Sequence, residues 1–212
     1  MTIQLSNAGK RFNRDWIFRH LTYTFNISKS YAITGSNGSG KSTLLQAIAS
    51  SLNMSEGKCE WSIVNGQSSM VKCKLEDSET YKYISIAAPY VELIEEMTAK
   101  EFFNFHSSFK PLLSHVSIDG IIKAIGLEKA ADKQIRYYSS GMKQRIKLAQ
   151  AIFSDVPVLL LDEPCTNLDA NGYALYHELI NDYCQNKLII VSSNDENEMD
   201  FCKERISIMD YK

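Results

Sequence analysis

No two of the five cysteines (Cys59, Cys73, Cys165, Cys184 and Cys202) are spaced as CxxC, and an odd number cannot pair completely. A disulfide framework is therefore not expected, a reducing compartment fits, and the cysteines read as packing residues rather than redox or metal groups. The four histidines, His20, His106, His115 and His177, fall at no metal-ligand spacing. A basic excess is also missing: the formal net charge is −2, which gives no electrostatic reason to expect nucleic acid as a partner. The longest apolar runs, VPVLLL and LIIV, are far short of the roughly 20 residues that cross a bilayer. The start, MTIQLSNAGKRF, lacks a signal peptide's apolar core. Any membrane-crossing part is thus expected on another chain. Internal repeats, low-complexity segments and linkers are absent. What remains, 212 residues at 44% hydrophobic composition, suffices for one sizeable core or one domain with a small lobe.

Against that background residues 34–43 stand out, reading TGSNGSGKST. Gly35, Gly38, Gly40, Lys41 and Ser42 fit G-x-x-x-x-G-K-[ST], with Ser36, Asn37 and Ser39 completing the loop. Glycines let backbone N–H groups turn inward and approach phosphate oxygens. A helix beginning near Lys41 aims its positive dipole end at the same anion. Lys41 can reach the β- and γ-phosphates, Ser42 can ligate magnesium, and Thr43 can add a hydroxyl contact. The plainer alternative is a glycine-rich turn before an ordinary helix. The strand-like SYAIT before the loop, and the helical stripe Leu44, Leu45, Ile48 and Leu52 after it, favour the phosphate reading.

The rest of the chain alternates strands and helices. Residues 1–33 look β-rich, and residues 57–88 return to strand-like patterning through GKCEWSIVNG, with an Asn65-Gly66 turn signal, and YKYISIAA. Residues 95–137 change to helical periodicity, in EEMTAKEFFNFHSSF and SIDGIIKAIGLEKAA. GMKQRIKLAQAIF reads as a helix with Met142, Ile146, Ala149 and Ile152 or Phe153 inward. VPVLLLDEP and KLIIVSS read as buried strands around the helix YALYHELINDYC. The expected fold is α/β: a mostly parallel sheet covered on both faces, with an antiparallel β subdomain and an inserted helical subdomain.

VLLLDEP places two acids at the end of a buried strand. Asp162 can hold magnesium, directly or through water, and Glu163 can polarise the attacking water as general base. Two solvated acids at a strand's end are the alternative, which the upstream phosphate loop weighs against. YYSSGMKQR opens another helix, where Ser139 or Ser140 can be an N-cap or part of a second anion site.

Taken together, GSNGSGKST, YSSGMKQR, LLLDEP and TNLD resemble the nucleotide-binding domain of ATP-binding cassette (ABC) proteins, in the same order across essentially the whole chain. The resemblance implies a P-loop NTPase core over residues 1–89 and 138–212 and a helical subdomain over about 90–137, in one domain. YSSGM falls at the family's signature sequence, commonly written LSGGQ, with serine in place of its first glycine and methionine in place of its glutamine. The resemblance implies that Ser139 and Gly141 contact the γ-phosphate held by an opposite subunit, in a head-to-tail homodimer or pseudo-dimer around two ATP molecules with Mg²⁺. It also implies that TNLD is the D-loop, with Asp169 near the dimer interface. Phe12 is the best match to the family's adenine-stacking aromatic, with Trp16 as its rival. Two family residues are missing. Pro89 stands near the place of the Q-loop glutamine, with Tyr90 and Glu92 as candidate replacements, and Asn194 stands where a histidine follows LIIV.

What the resemblance implies is an ATPase subunit of a transporter, cytoplasmic and peripheral at the inner face of the cell membrane, driving a separate transmembrane permease. The compact chain suits an exporter-type subunit. A nucleotide-gated switch with slow hydrolysis, and a soluble cassette with a non-membrane partner, are the other readings.

Overall fold

In the computed structural model of the chain, residues 1–64, 72–74 and 77–212 are described. The hairpin β1 (Thr2–Phe12) and β2 (Asp15–Asn26) comes first. β3 (Ser30–Thr34) then runs straight into the glycine loop and α1 (Lys41–Ile48). β4 (Glu56–Val64) and β5 (Lys72–Lys74) return to the hairpin, giving an antiparallel sheet in the order β2-β1-β4-β5. β6 (Ile84–Ala87), α2 (Ala99–Ser107), α3 (Ile118–Ala124) and α4 (Ser140–Ile152) follow. The chain continues through β7 (Val158–Asp162), α5 (Ala170–Tyr183), β8 (Leu188–Ser192), α6 (Glu196–Met199) and β9 (Glu204–Ser207). The second sheet, β6-β7-β8-β3-β9, is parallel at each of its pairings.

The parallel sheet is the middle layer, which explains the continuous apolar runs: every residue of β7 and β8 is buried. Alternate residues serve the two faces. Leu159, Leu161, Ile189 and Val191 belong to the core with α4, α5 and the helices after β6. Val158, Leu160, Leu188 and Ile190 belong to the core with α1 and the antiparallel sheet.

Three local expectations are corrected. YKYISIAA is not one strand: residues 77–83 form a 3₁₀ helix, and only Ile84–Ala87 pair, with β7. EEMT does not begin a helix. Thr98 is the N-cap of α2; its hydroxyl oxygen accepts from Glu101 N at 3.3 Å while Thr98 N donates to Glu101 Oε2 at 2.8 Å. This capping box starts the helix at Ala99 and leaves residues 95–98 outside it. The segment 95–137 is also less helical than its periodicity implies, with two short α-helices and 3₁₀ turns at Glu128–Ala130 and Ile135–Tyr137. The Asn65-Gly66 turn lies outside the described residues.

The strand order brings the loops after β7, β8 and β3 side by side. Ser192 of β8 pairs in register with Asp162 of β7 on one side and with Ile33 of β3 on the other. The phosphate loop, the Asp162–Glu163 pair and Asn194 therefore leave the sheet from one edge, where open α/β sheets bind ligands.

Candidate functional site

The glycine loop is shaped by contacts that only glycine permits. Gly40, the N-cap of α1, has φ +101°, and a Cβ there would lie 2.2 Å from Ile17 Cγ2 on β2. That close approach also fixes the hairpin beside the loop. α1 has no side-chain cap and no acid in its first turn, so its N-terminal amides and dipole are left for an anion. Lys41 is buried, and its Nζ donates to Gly35 O at 2.8 Å and to Ser36 O at 3.4 Å, which holds the cation over the loop. Ser42 and Thr43 follow on the first turn of α1, and the buried Ser39 Oγ has no hydrogen-bond partner.

Asp162 ends β7 and is only 2% exposed. Its Oδ1 is buried without a hydrogen-bond partner, as is Ser192 Oγ on the paired residue. An orphaned buried carboxylate oxygen is costly unless a cation or donor meets it. Among the described residues no group of three His, Cys, Asp or Glu side chains can hold a metal by itself. The orphaned Oδ1 of Asp162 is the kind of oxygen ligand that magnesium takes, beside waters and phosphate oxygens. Glu163 is half-buried with φ +45°, a conformation that non-glycine residues rarely adopt. The turn is held by Glu163 N donating to Ser192 O (2.9 Å) and by Thr166 Oγ1 donating to Glu163 O (2.9 Å).

Asn194 is exposed and reaches the phosphate loop directly. Its Nδ2 donates to Asn37 Oδ1 at 2.8 Å, and its Oδ1 accepts from Gly35 N at 3.3 Å. Its neighbours Ser193 and Asp195 do not: Ser193 Oγ turns inward to Glu198, and Asp195 Oδ2 accepts from Tyr173 OH at 2.8 Å.

The second candidate anion site lies at the start of α4. Ser139 is its N-cap, the hydroxyl oxygen accepting from Met142 N at 3.3 Å. The cap leaves the hydroxyl hydrogen available, so capping and anion binding are compatible here. Ser139, Gly141 and Arg145 share an open cavity of about 600 Å³ with Lys129, Asn167 and Asp169. Asp169 caps α5, accepting from Gly172 N at 2.8 Å, and lies 3.9 Å from the Arg145 guanidinium.

Of the two aromatic candidates, Trp16 is already engaged, with Arg19 4.4 Å and Arg11 5.5 Å from its ring. Phe12 is 47% exposed, with Lys10 Nζ 5.2 Å from its ring. Near the missing glutamine, Pro89 O accepts from Lys147 Nζ at 3.0 Å. Burial raises the pKa of the Tyr90 phenol, its hydrogen bond to Gln46 opposes that, and the charge of Asp162 raises it further. Tyr90 is thus within electrostatic reach of the acid at the end of β7. Glu92 is exposed.

Two residues about the acids have no sequence signal. Gln144 is buried and donates to Pro164 O at 2.6 Å, tying α4 to the turn after Glu163. Glu198, one of the acids of NDENEMD, is buried, and burial raises its carboxyl pKa.

The sequence model of the ABC transporter family matches residues 18–166. The ABC transporter ATP-binding protein YybJ of Bacillus subtilis is 29% identical over 198 residues, covering 93% of this chain and 87% of its own. The cytochrome c biogenesis ATP-binding export protein CcmA of Agrobacterium fabrum is 26% identical, covering 92% and 90%. Among solved structures, a putative ABC transporter ATP-binding protein from Pyrococcus furiosus superposes with a TM-score of 0.80 at 17% identity, over 100% of both chains. The dimeric bacterial ABC transporter cassette MJ0796 superposes with a TM-score of 0.77 at 22% identity, over 97% of this chain and 94% of that one.

Proposed function

The chain belongs to the ABC transporter family, and from that premise we propose that it is the ATP-hydrolysing subunit of an exporter, closing as a dimer on ATP and driving a separate transmembrane permease. The observation that carries this reading is the convergence of three loops on one sheet edge: the phosphate loop after β3, Asp162–Glu163 after β7 and Asn194 after β8.

The loop amides and Lys41 bind the β- and γ-phosphates, and Phe12 stacks on adenine. Asp162 and Ser42 hold magnesium, which when bound neutralises phosphate charge and orients the oxygens. Glu163 accepts a proton from water as the water oxygen attacks the γ-phosphorus. The bond from that phosphorus to the bridging oxygen breaks, and ADP leaves with the electron pair. Asn194 orients groups near the γ-phosphate through its amide but brings no positive charge. Ser139 and Gly141 meet the γ-phosphate bound by a second copy, which supports dimerisation through the cavity beside α4.

No helix among the described residues is long and apolar enough to cross a membrane. The permease contact is assigned to residues 90–137, which form the helical subdomain. Phe105 and Phe109 pack edge to face there at 4.9 Å, with Phe109 73% exposed. The test is Glu163→Gln, which keeps the side chain's shape and removes the base. ATP binding should persist, an ATP-bound dimer should accumulate in light scattering, and turnover should fall about 10²–10⁴-fold. Turnover at the wild-type rate would overturn the assignment.

A further inference from the structure

Two acids are buried among the described residues, Asp162 and Glu198. The first belongs to the site. The second sits on the short helix α6, 4% exposed, and its two oxygens are divided between two loops. Oε1 accepts from Cys165 N at 2.7 Å, two residues beyond Glu163. Oε2 accepts from Ser193 Oγ, on the residue before Asn194.

The surroundings make this a rigid connection. Ser193 N donates to Ile33 O on β3 at 3.2 Å, and Ser193 Oγ accepts from Asp195 N at 2.9 Å. From behind, α5 holds α6 in place: Tyr176 OH donates to Glu198 O at 2.9 Å and Tyr173 OH to Asp195 Oδ2 at 2.8 Å. The turn that Glu198 grips needs such support, since Glu163 (φ +45°) and Asn167 (φ +67°) both hold left-handed conformations. Conformations of that kind persist only where neighbours over-determine them.

We propose that Glu198 is a positioning residue for ATP hydrolysis, its carboxylate clamping the turn that carries Glu163 to the loop that carries Asn194. The clamp fixes the distance between the general base and the amide over the phosphate loop. It rests on the ATPase reading above and adds to it a residue whose two carboxylate oxygens are both taken by protein donors. A carboxylate suits the place because both partners donate. Glutamine can still accept from Cys165 N, but its amide then points at Ser193 Oγ, which loses the acceptor for its own hydrogen. The clamp is halved rather than removed.

The experiment measures steady-state ATPase kinetics, ATP affinity and thermal unfolding for wild type, Glu198→Ala, Glu198→Gln and Ser193→Ala. Misplacing a catalytic group by about 1 Å can cost about 10²-fold, so Glu198→Ala should lower kcat by that order while KM and ATP affinity stay near wild type. Glu198→Gln should recover part of the loss. Ser193→Ala should also lower kcat, and combined with Glu198→Gln it should lose less than the sum of the two, since both cut one clamp. If Glu198→Ala does not fold, the same pattern in the two milder variants carries the proposal. Folded Glu198→Gln and Ser193→Ala variants with wild-type kcat, or a loss that falls on KM, would overturn it. A wild-type protein without ATPase activity would overturn the ATPase reading itself, whereas an active wild type with unaffected variants removes the clamp alone.

Discussion

Asn194 Nδ2 donates to Asn37 Oδ1 at 2.8 Å, joining the loop after β8 to the middle of the phosphate loop across 157 positions of sequence. With the bond from Gly35 N to Asn194 Oδ1, one carboxamide uses its donor and its acceptor on the same loop. A histidine can offer a donor and, when protonated, a positive charge, but not this pair of amide contacts.

Asn194→Ala should slow ATP hydrolysis about tenfold, the equivalent of one good hydrogen bond and one long one, and less than Glu163→Gln does. Asn194→His should be tolerated and should raise the rate, because it restores a group that can carry charge while Lys41, Ser42, Asp162 and Glu163 stay in place. Steady-state assays on the three variants decide the matter. An Asn194→Ala protein as fast as wild type would show that the bridge to Asn37 has no part in turnover.

Gly141→Asp should abolish ATP-dependent dimerisation and hydrolysis while leaving ATP binding by the isolated chain intact. A carboxylate at the mouth of the cavity beside α4 would face a phosphate on the second copy, and like charges at a closed interface cost several kcal/mol. Crowding must be separated from charge, since a Cβ at Gly141 would lie 3.0 Å from Asn167 O. Gly141→Ala carries the crowding alone and should retain most of the dimer. Equal loss of dimer in both variants, measured by light scattering, would remove the electrostatic argument.

Stability should fall on mild acidification through His106. Burial, and then the charge of Lys110, push its pKa down to about 4. The ring sits between Ser154 Oγ (3.0 Å from Nε2) and Gln150 Nε2 (3.3 Å from Nδ1), and Ser154 donates to Gln150 O. That network wants hydrogen on Nε2 and a bare Nδ1 facing a donor, so the neutral form is held. An unfolded histidine takes up its proton near pH 6.5, so the unfolded chain binds more protons between there and about pH 4. His106 therefore contributes a loss of stability as pH falls through that window. Thermal melts of wild type and His106→Gln should diverge least near pH 5 and most at pH 7.5, with the steeper acid decline in wild type. Parallel curves would contradict this.

Much of the site is legible locally. The phosphate loop is a fixed spacing of glycines with a lysine, and the runs VLLLD and LIIVS are apolar because both faces of β7 and β8 are covered. A resemblance in motif order supplied the expectation for Asn194. What escapes is fixed by distant partners. Glu198 stands among acids and differs from them only because Cys165 and Ser193 fold onto it. Gln144 is one polar residue of a polar helix until Pro164 O is placed against it. The 3₁₀ turn at residues 77–83 escapes for a related reason: an alternating aromatic pattern fits a strand, but only Ile84–Ala87 have a neighbouring strand to pair with.

The buried thiols turn the protein into its own clock of opening. Cys165, Cys184 and Cys202 are all buried, and burial is the leading cause that raises each thiol pKa, to about 11 for Cys184 and about 12 for Cys202. The reactive thiolate is therefore scarce and unreachable while the chain is closed. Each becomes available only when its own neighbourhood lifts: the turn after Glu163 for Cys165, the end of α5 for Cys184, and the approach to β9 for Cys202. Timed alkylation read peptide by peptide would thus rank how often these three places come apart, with no engineered cysteine. Adding ATP should slow the Cys165 signal more than the other two, because that thiol alone sits in a turn that carries the site.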